Sequence, residues 1–267
     1  MEQIAPLRVR APKLDGLASG VYLIGAGPGA ADLITVRGSR ILAQADIVFY
    51  DALIDLSMLD WCSSAKLVQV GKRCGSHSSS QHFINKQLVD AASKYPVVVR
   101  LKGGDPLIFG RAQEEIDALE KANIPYEIVP GITTALAASA ELKQPPTTRE
   151  LSRTLTLTTL PGRCAHEDYK TAIYYMARDQ LSEVATTLLT QGYSANTPVC
   201  LMESVSLPAQ RSFACTLDQL RFGDVHDHFL DKQPVVVMVG EVYRKKLQTL
   251  FPFIESQNHF NLFQKAS

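Results

Sequence analysis

At 267 residues the chain can form one large domain or two of ordinary size. Hydrophobic residues make up 46%, and Lys+Arg and Asp+Glu both total 27, so the formal net charge is zero. That balance argues against a bulk polyanion partner such as nucleic acid, which needs a strong basic bias, and leaves room for a small anion held by a local cluster.

The cysteines Cys62, Cys74, Cys164, Cys200 and Cys215 are odd in number and scattered, with no C-x-x-C pair. This pattern predicts reduced thiols in a cytoplasmic setting and neither a disulfide framework nor a zinc site. The amino terminus lacks the apolar core of a signal peptide, and no run approaches the length of a membrane span. A soluble, cytoplasmic protein with no membrane partner is expected.

Residues 1–19 read as a flexible arm, with Pro6, Pro12 and mixed charges. The fold is expected to begin at Gly20, where Val21 to Ile24 make a strand that runs into the glycine turn Gly25 to Gly29. A helical stretch follows, with Leu33, Val36, Ile41 and Leu42 near helical spacing. Ile47 to Tyr50 reads as a strand ending in Asp51, Leu53 to Trp61 as a helix, and Leu67 to Val70 as a strand closing in Gly71-Lys72-Arg73. The serines of the next loop can cap a helix over Phe83 to Lys94. His77 and His82, in and beside that loop, read as surface residues.

Arg100 to Glu115, RLKGGDPLIFGRAQEE, holds the strongest local signal. It follows the buried-strand run Val97-Val98-Val99 and leads into a helix reaching Ala122. Gly103 and Gly104 leave no side chain at the strand's C-terminal end, where open α/β sheets bind ligands. The stretch reads as a ligand floor with one carboxylate and one guanidinium beside it; a tight strand-to-helix turn with an ordinary cap is the plainer alternative. Tyr126 to Val129 is a further strand, Pro130-Gly131-Ile132-Thr133-Thr134 a turn, and Ala135 to Leu142 a small-residue helix broken at Pro145-Pro146.

The break places a domain boundary at Pro145, giving α/β domains over 20–144 and 145–252 and a polar tail over 253–267. In the second domain Thr154 to Leu160, Ala172 to Met176, Pro198 to Met202 and Pro234 to Val239 read as strands. Leu181 to Gln191 reads as a helix with Gly192 past its end. His226-Asp227-His228 lacks further ligands at zinc spacing and reads as surface. Strands alternate with helices throughout, so the class is α/β, with mainly parallel pairing in the first half.

The turn Gly25-Ala26-Gly27-Pro28-Gly29, with Asp51 closing the second strand, invites a dinucleotide reading. Its spacing is G-x-G-x-G, and Pro28 lacks the N–H that a pyrophosphate cradle presents. That makes a nicotinamide enzyme the weaker reading.

The glycine turn with Leu33-Ile34-Thr35, then Tyr50-Asp51, Val70 to Arg73, Arg100 to Arg111, Val129 to Ala135, Pro146 to Glu150, Tyr174 to Met176 and Val235 to Val242 occur in one order that resembles the tetrapyrrole methylases. The resemblance runs from about Val21 to Val242. It implies two α/β domains with a cofactor and substrate cleft between them, a homodimer, and S-adenosylmethionine as methyl donor. It also implies a small-molecule tetrapyrrole substrate: uroporphyrinogen III, methylated at C2 and C7 to give precorrin-2 on the siroheme and cobalamin branch. Carried over by position, cofactor contacts fall on Pro28, Gly103, Gly104, Asp105, Ile108, Thr133, Thr134, Met176, Val205 and Pro234. By the same resemblance Asp51 is the proton acceptor and Lys72 the donor. Arg111 and Glu114 are further catalytic candidates, expected as a pair that keeps Arg111 charged and oriented.

An octacarboxylate substrate needs cations, and Lys72, Arg73, Arg100, Lys102, Arg111, Arg149 and Arg153 lie in or beside the motifs. The pattern departs from the family at Ala112 and Val205, where glycines are usual, at Thr159-Leu160-Pro161, and in a shorter link to Tyr174. Two readings therefore stand beside the main one: a methylase of another corrinoid or tetrapyrrole intermediate, and a tetrapyrrole binder without catalysis.

Overall fold

In the computed structural model, β1 (Gly20–Gly25) lies between β4 (Val97–Lys102) and β5 (Tyr126–Val129), parallel to both. β2 (Ile47–Asp51) and β3 (Lys66–Val70) extend the sheet on the far side of β4, giving the order β3-β2-β4-β1-β5 with every pairing parallel. The structure describes residues 16–62, 64–70, 81–160, 171–222, 225 and 233–250. The chain divides into two units, Met1–Thr133 and Thr134–Ser267.

The helices of the first unit are α1 (Val36–Leu42), α2 (Gln81–Ala92) and α3 (Ala112–Lys121). Side chains alternate across a strand, so β4 sends Val97, Val99 and Leu101 to one face and Val98, Arg100 and Lys102 to the other. The first set packs with Ile41 and Leu42 of α1 and with Met58. Val98 packs with Ile84 and Leu88 of α2 and Ile116 and Leu119 of α3. All six β4 residues are buried, as a central parallel strand covered on both faces requires. Two charged side chains therefore enter an apolar layer.

The second unit has the mixed sheet β6-β7-β10-β8-β9. Its strands are β6 (Thr156–Thr159), β7 (Thr171–Tyr175), β8 (Pro198–Glu203), β9 (Arg211–Thr216) and β10 (Val235–Gly240). β6 and β7 are parallel, and the other pairings are antiparallel. The helices are α4 (Thr134–Glu141), α5 (Leu181–Thr190), α6 (Leu217–Phe222) and α7 (Arg244–Leu250). Tyr174, Leu201 and Val237 pack with Leu181, Val184 and Leu188 of α5 and Leu217 and Leu220 of α6.

Four local differences from the sequence reading have physical causes. The helix expected from Leu33 is a 3-10 turn followed by α1, because the Thr35 hydroxyl accepts from Gly38 N at 3.1 Å and starts the helix there. The segment from Leu53 settles into a 3-10 helix, Leu56–Cys62. β9 was not expected: it is an edge strand with only Ala214 and Cys215 buried, so its apolar signal is weak. α4 belongs with the second unit and packs beside β10, so the division falls ahead of Pro145.

Cys62, Cys200 and Cys215 are free and buried. Burial pushes the Cys62 thiol up to about 11 and those of Cys200 and Cys215 up to about 12. A thiol whose native pKa lies above its unfolded value stabilises the fold below that unfolded value, here 9.0, and the contribution is lost as pH rises toward the native value. Native protein is expected to leave these three thiols unlabelled by a disulfide reagent at pH 8, and its unfolding free energy to decline above pH 9. Rapid native labelling of any of the three would contradict this burial. Among the described residues no helix is long and apolar enough to cross a membrane.

Candidate active site

Three loops at the C-terminal edge of the first sheet are tied to one another. Ala26 N donates to Lys102 O at 2.7 Å, Gly27 N to Gly104 O at 3.2 Å and Gly104 N to Gly27 O at 2.7 Å, joining the turn after β1 to the turn after β4. Asp105 adds the loop after β5, because its Oδ2 accepts from Gly131 N at 2.9 Å while Oδ1 accepts from Leu107 N at 2.8 Å. Asp105, expected as a cofactor contact, thus spends both oxygens on its own turn and the neighbouring loop. Its remaining lone pairs can still accept from a ligand.

The glycines here serve two purposes. A Cβ on Gly25 would lie 2.5 Å from Gly131 Cα and 2.7 Å from Gly104 O, so the first and third loops close only on bare backbone. Gly104 sits at φ +68, in the left-handed region. Gly103 is different: it is exposed, it has no left-handed φ, and an added Cβ would meet nothing within 4 Å. Neither conformation nor packing among the described residues demands a glycine there. Pro28 and Ile108 flank this floor, both half-buried.

Asp51 ends β2 on the face of Phe49, the face that also carries Arg100 and Lys102. Arg100 Nη2 donates to Asp51 Oδ1 at 2.6 Å, and Arg100 Nε to Glu115 Oε1 at 3.0 Å. Arg100 Nη1 donates to Leu101 O at 3.1 Å. Lys102 Nζ donates to Glu115 Oε2 at 2.8 Å, and Gln81 Nε2 to Oε1 at 3.3 Å. Arg100 and Lys102 are 3% and 2% exposed and paired with Glu115, itself 0% exposed, so the two basic residues cannot serve as cations for substrate carboxylates. This corrects the sequence reading: a basic residue in a buried strand looks like a ligand cation until its acidic partner, placed one helix later, is found.

Burial works against the Arg100 charge, but the Asp51 and Glu115 carboxylates more than offset it and raise its pKa. Burial and the Arg100 charge together push the Lys102 amine below its ordinary value, against the pull of Glu115. Truncating Glu115 to alanine would leave Lys102 without its carboxylate in the core and Arg100 with Asp51 alone, a burial of unpaired charge that costs about 3–5 kcal/mol. A denaturant titration of Glu115→Ala is expected to read a loss of that size; a loss below about 1 kcal/mol would mean that solvent reaches the cations.

Arg111 and Glu114 form the expected pair, with Nε to Oε1 at 2.7 Å and Nη2 to Oε2 at 2.8 Å. Both are largely exposed. The hydrogen bond from Arg111 lowers the Glu114 pKa, and the same bond raises that of Arg111. Phe109 at φ 54 and Arg111 at φ 56 are both left-handed, and they frame the turn that delivers the guanidinium. Ala112 does not crowd this turn: it is helical, buried and packed with Ile116. Arg149 and Arg153 are exposed, and Arg153 Nε donates to Arg149 O at 2.9 Å. Lys72, Arg73, His77, the 161–170 link and His226 to His228 lie outside the described residues.

Thr133, buried, closes the first unit, and Thr134 opens α4 in the second. Within the second unit Ala135 N donates to the Tyr175 hydroxyl at 3.2 Å, which ties the start of α4 to the end of β7. Sequence reading places Tyr175 in the Tyr174 to Met176 motif without assigning it a contact. β7 and β8 both run antiparallel to β10, so their C-terminal ends and the start of β10 share one edge of the sheet. That edge gathers Met176, Val205 and Pro234, with Ser204 N donating to Pro234 O at 3.1 Å. Met176, Ser204 and Ser206 are left-handed there, at φ 53, 51 and 62, a concentration of backbone strain of the kind that marks functional edges. Met176 is exposed, whereas Val205 is buried.

A model of the family described as tetrapyrrole (corrin/porphyrin) methylases matches residues 20–221. A uroporphyrinogen-III C-methyltransferase of Cyanidium caldarium is 39% identical over 236 residues, covering 83% of this chain and 92% of that protein. A siroheme synthase of Psychrobacter cryohalolentis is 41% identical over 207 residues, covering 74% of this chain; the match spans only 40% of that longer protein. Among solved structures, a uroporphyrin-III C-methyltransferase from Thermus thermophilus complexed with S-adenyl homocysteine aligns with a TM-score of 0.72 at 32% identity, covering 84% of this chain and 99% of that one.

Proposed function

Because the chain belongs to the tetrapyrrole methylases, we propose that it methylates uroporphyrinogen III at C2 and C7, with S-adenosylmethionine as donor, to give precorrin-2. The observation that carries the reading is Gly103, a glycine open to a ligand at the end of the central strand, beside an ordered carboxylate at Asp51. When bound, the cofactor supplies an electrophilic methyl on a good leaving group. The glycine floor of Gly103 and Gly104 lets it approach backbone closely, with Pro28, Ile108 and Asp105 around it. Thr133, Thr134, Met176, Val205 and Pro234 are the remaining cofactor candidates.

Asp51 is the base of this mechanism. Carbon methylation leaves the pyrrole ring a proton in excess, and the Asp51 carboxylate takes that proton while Arg100 holds its other oxygen. Lys72 is assigned as the donor of a proton elsewhere on the macrocycle. Arg111, kept charged by Glu114, binds or polarises a substrate carboxylate, and Arg149 holds another. In-line positioning of the two reactants can supply about 7–11 kcal/mol of the barrier. The protein is assigned to the cytoplasm as a homodimer, which light scattering can check.

Two measurements test the reading together. Calorimetry with S-adenosylhomocysteine is expected to give one site per chain, and mass spectrometry of the reaction with uroporphyrinogen III a product heavier by two methyl groups. Cofactor binding with no methyl transfer to that substrate would shift the reading to another tetrapyrrole intermediate. Tetrapyrrole binding with no cofactor binding would leave a non-catalytic binder.

A further inference from the structure

Four charged groups at the end of β4 raise a question that the fold alone does not answer. Arg100 and Lys102 stand where Val98 stands one and two steps earlier on the same face, against the apolar residues of α2 and α3. Apolar side chains would fill that layer at no cost in desolvation, and replacing a buried ion network by them is often neutral or stabilising. Stability therefore does not explain the network.

Its geometry does. A guanidinium is a rigid planar fork, and fixing two of its donors fixes the third. Arg100 Nε is held by Glu115 Oε1 and Nη1 by Leu101 O, so the plane is set and Nη2 points at Asp51 Oδ1, 2.6 Å away. Glu115 is itself prevented from turning: Lys102 Nζ holds Oε2 and Gln81 Nε2 holds Oε1. The Arg100–Glu115 and Lys102–Glu115 contacts lie in the buried layer, while the Asp51 side chain is partly open, at 31%. Arginine cannot give up its proton, so Nη2 donates to Oδ1 whether Asp51 is a carboxylate or, after taking a proton on Oδ2, an acid.

We propose that Glu115 is a positioning residue that acts through Arg100: it sets the guanidinium plane that aims Asp51 at the proton the substrate loses. Lys102 and Gln81 support it, and the assignment rests on the functional reading given above. A misplacement of the base by about 1 Å can cost about 100-fold in rate without loss of binding.

The test uses two double variants that remove the same two charges. In Glu115→Gln with Lys102→Met the amide oxygen still accepts from Arg100 Nε. In Glu115→Leu with Lys102→Met nothing does, and the layer becomes apolar, so both variants are expected to fold. The glutamine variant is expected to keep kcat within about tenfold of the parent. The leucine variant is expected to lose about 100-fold in kcat while KM and S-adenosylhomocysteine affinity move less than about threefold.

Nitrogen-15 spectra of the arginine side chains give a readout independent of activity. Separate, slowly exchanging Arg100 Nη signals are expected in the parent and the glutamine variant, and averaged signals in the leucine variant. Equal kcat in the two variants, or Arg100 signals alike in both, overturns the proposal. If the leucine variant does not fold, Arg100→Lys keeps the charge and removes the fork. It is expected to lose at least about tenfold in kcat at unchanged KM, and parental kcat would overturn the proposal. If the parent does not methylate uroporphyrinogen III, the functional reading falls while the guanidinium spectra still decide the positioning claim.

Discussion

Asp51→Asn is expected to lower kcat for methyl transfer by about 1,000-fold, within the range of about 10²–10⁴ that a positioned base contributes. Asparagine preserves shape, and its amide oxygen can accept from Arg100 Nη2 as the carboxylate does at 2.6 Å. What it cannot do is take a proton at neutral pH. Binding of S-adenosylhomocysteine should stay within about threefold, because nothing in the glycine floor changes. Stability should fall by less than about 1.5–3 kcal/mol, the worth of a hydrogen bond to a charged group, because the bond is kept and only its ionic partner is lost. Single-turnover kinetics with pre-bound donor separates these effects. A variant that methylates at the parental rate would remove Asp51 from the mechanism and direct attention to Glu114, the exposed carboxylate paired with Arg111.

The second large effect divides two glycines a short distance apart in the site. Gly103→Leu places a side chain where an added Cβ meets nothing within 4 Å, so the fold should tolerate it. The ligand should not: a loss of at least about 100-fold in S-adenosylhomocysteine affinity, or about 2.7 kcal/mol, is expected. Gly131→Ala behaves in the opposite order. Its Cβ would lie 2.8 Å from Gly25 Cα and closer still to Gly104 O, both backbone atoms that cannot rotate away. Overpacking of this kind costs about 1–3 kcal/mol. The loops that Asp105 pins together would part, and affinity would fall as a consequence. Paired thermal melts and calorimetry distinguish the cases. Wild-type affinity in Gly103→Leu would sink the ligand-floor reading, however the other variant behaves.

How far the sequence reaches is clear from particular residues. The run Val97-Val98-Val99 before two glycines was enough to find a buried strand, because a parallel strand buried on both faces needs an unbroken apolar run. Arg111 and Glu114, three residues apart at a helix start, were legible as a pair, since that spacing brings side chains together on one helical turn. Arg100 and Lys102 were misread. The two-residue period does place them on one face, but that face could have been open or covered. Only the packing of α2 and α3, with Glu115 brought up against them, shows that it is covered.

The edge strand β9 was missed because its sequence, RSFACT, lacks the strict apolar and polar alternation that marks a half-buried strand. The sequence by itself therefore determined the α/β class, the buried strand and the family, because these rest on local apolar patterns and on motifs that keep their order along the chain. Tertiary structure alone decided which charges are available to a ligand. Burial and pairing are set by residues distant in sequence, and a guanidinium free to bind a carboxylate differs from one already spent only in what lies against it.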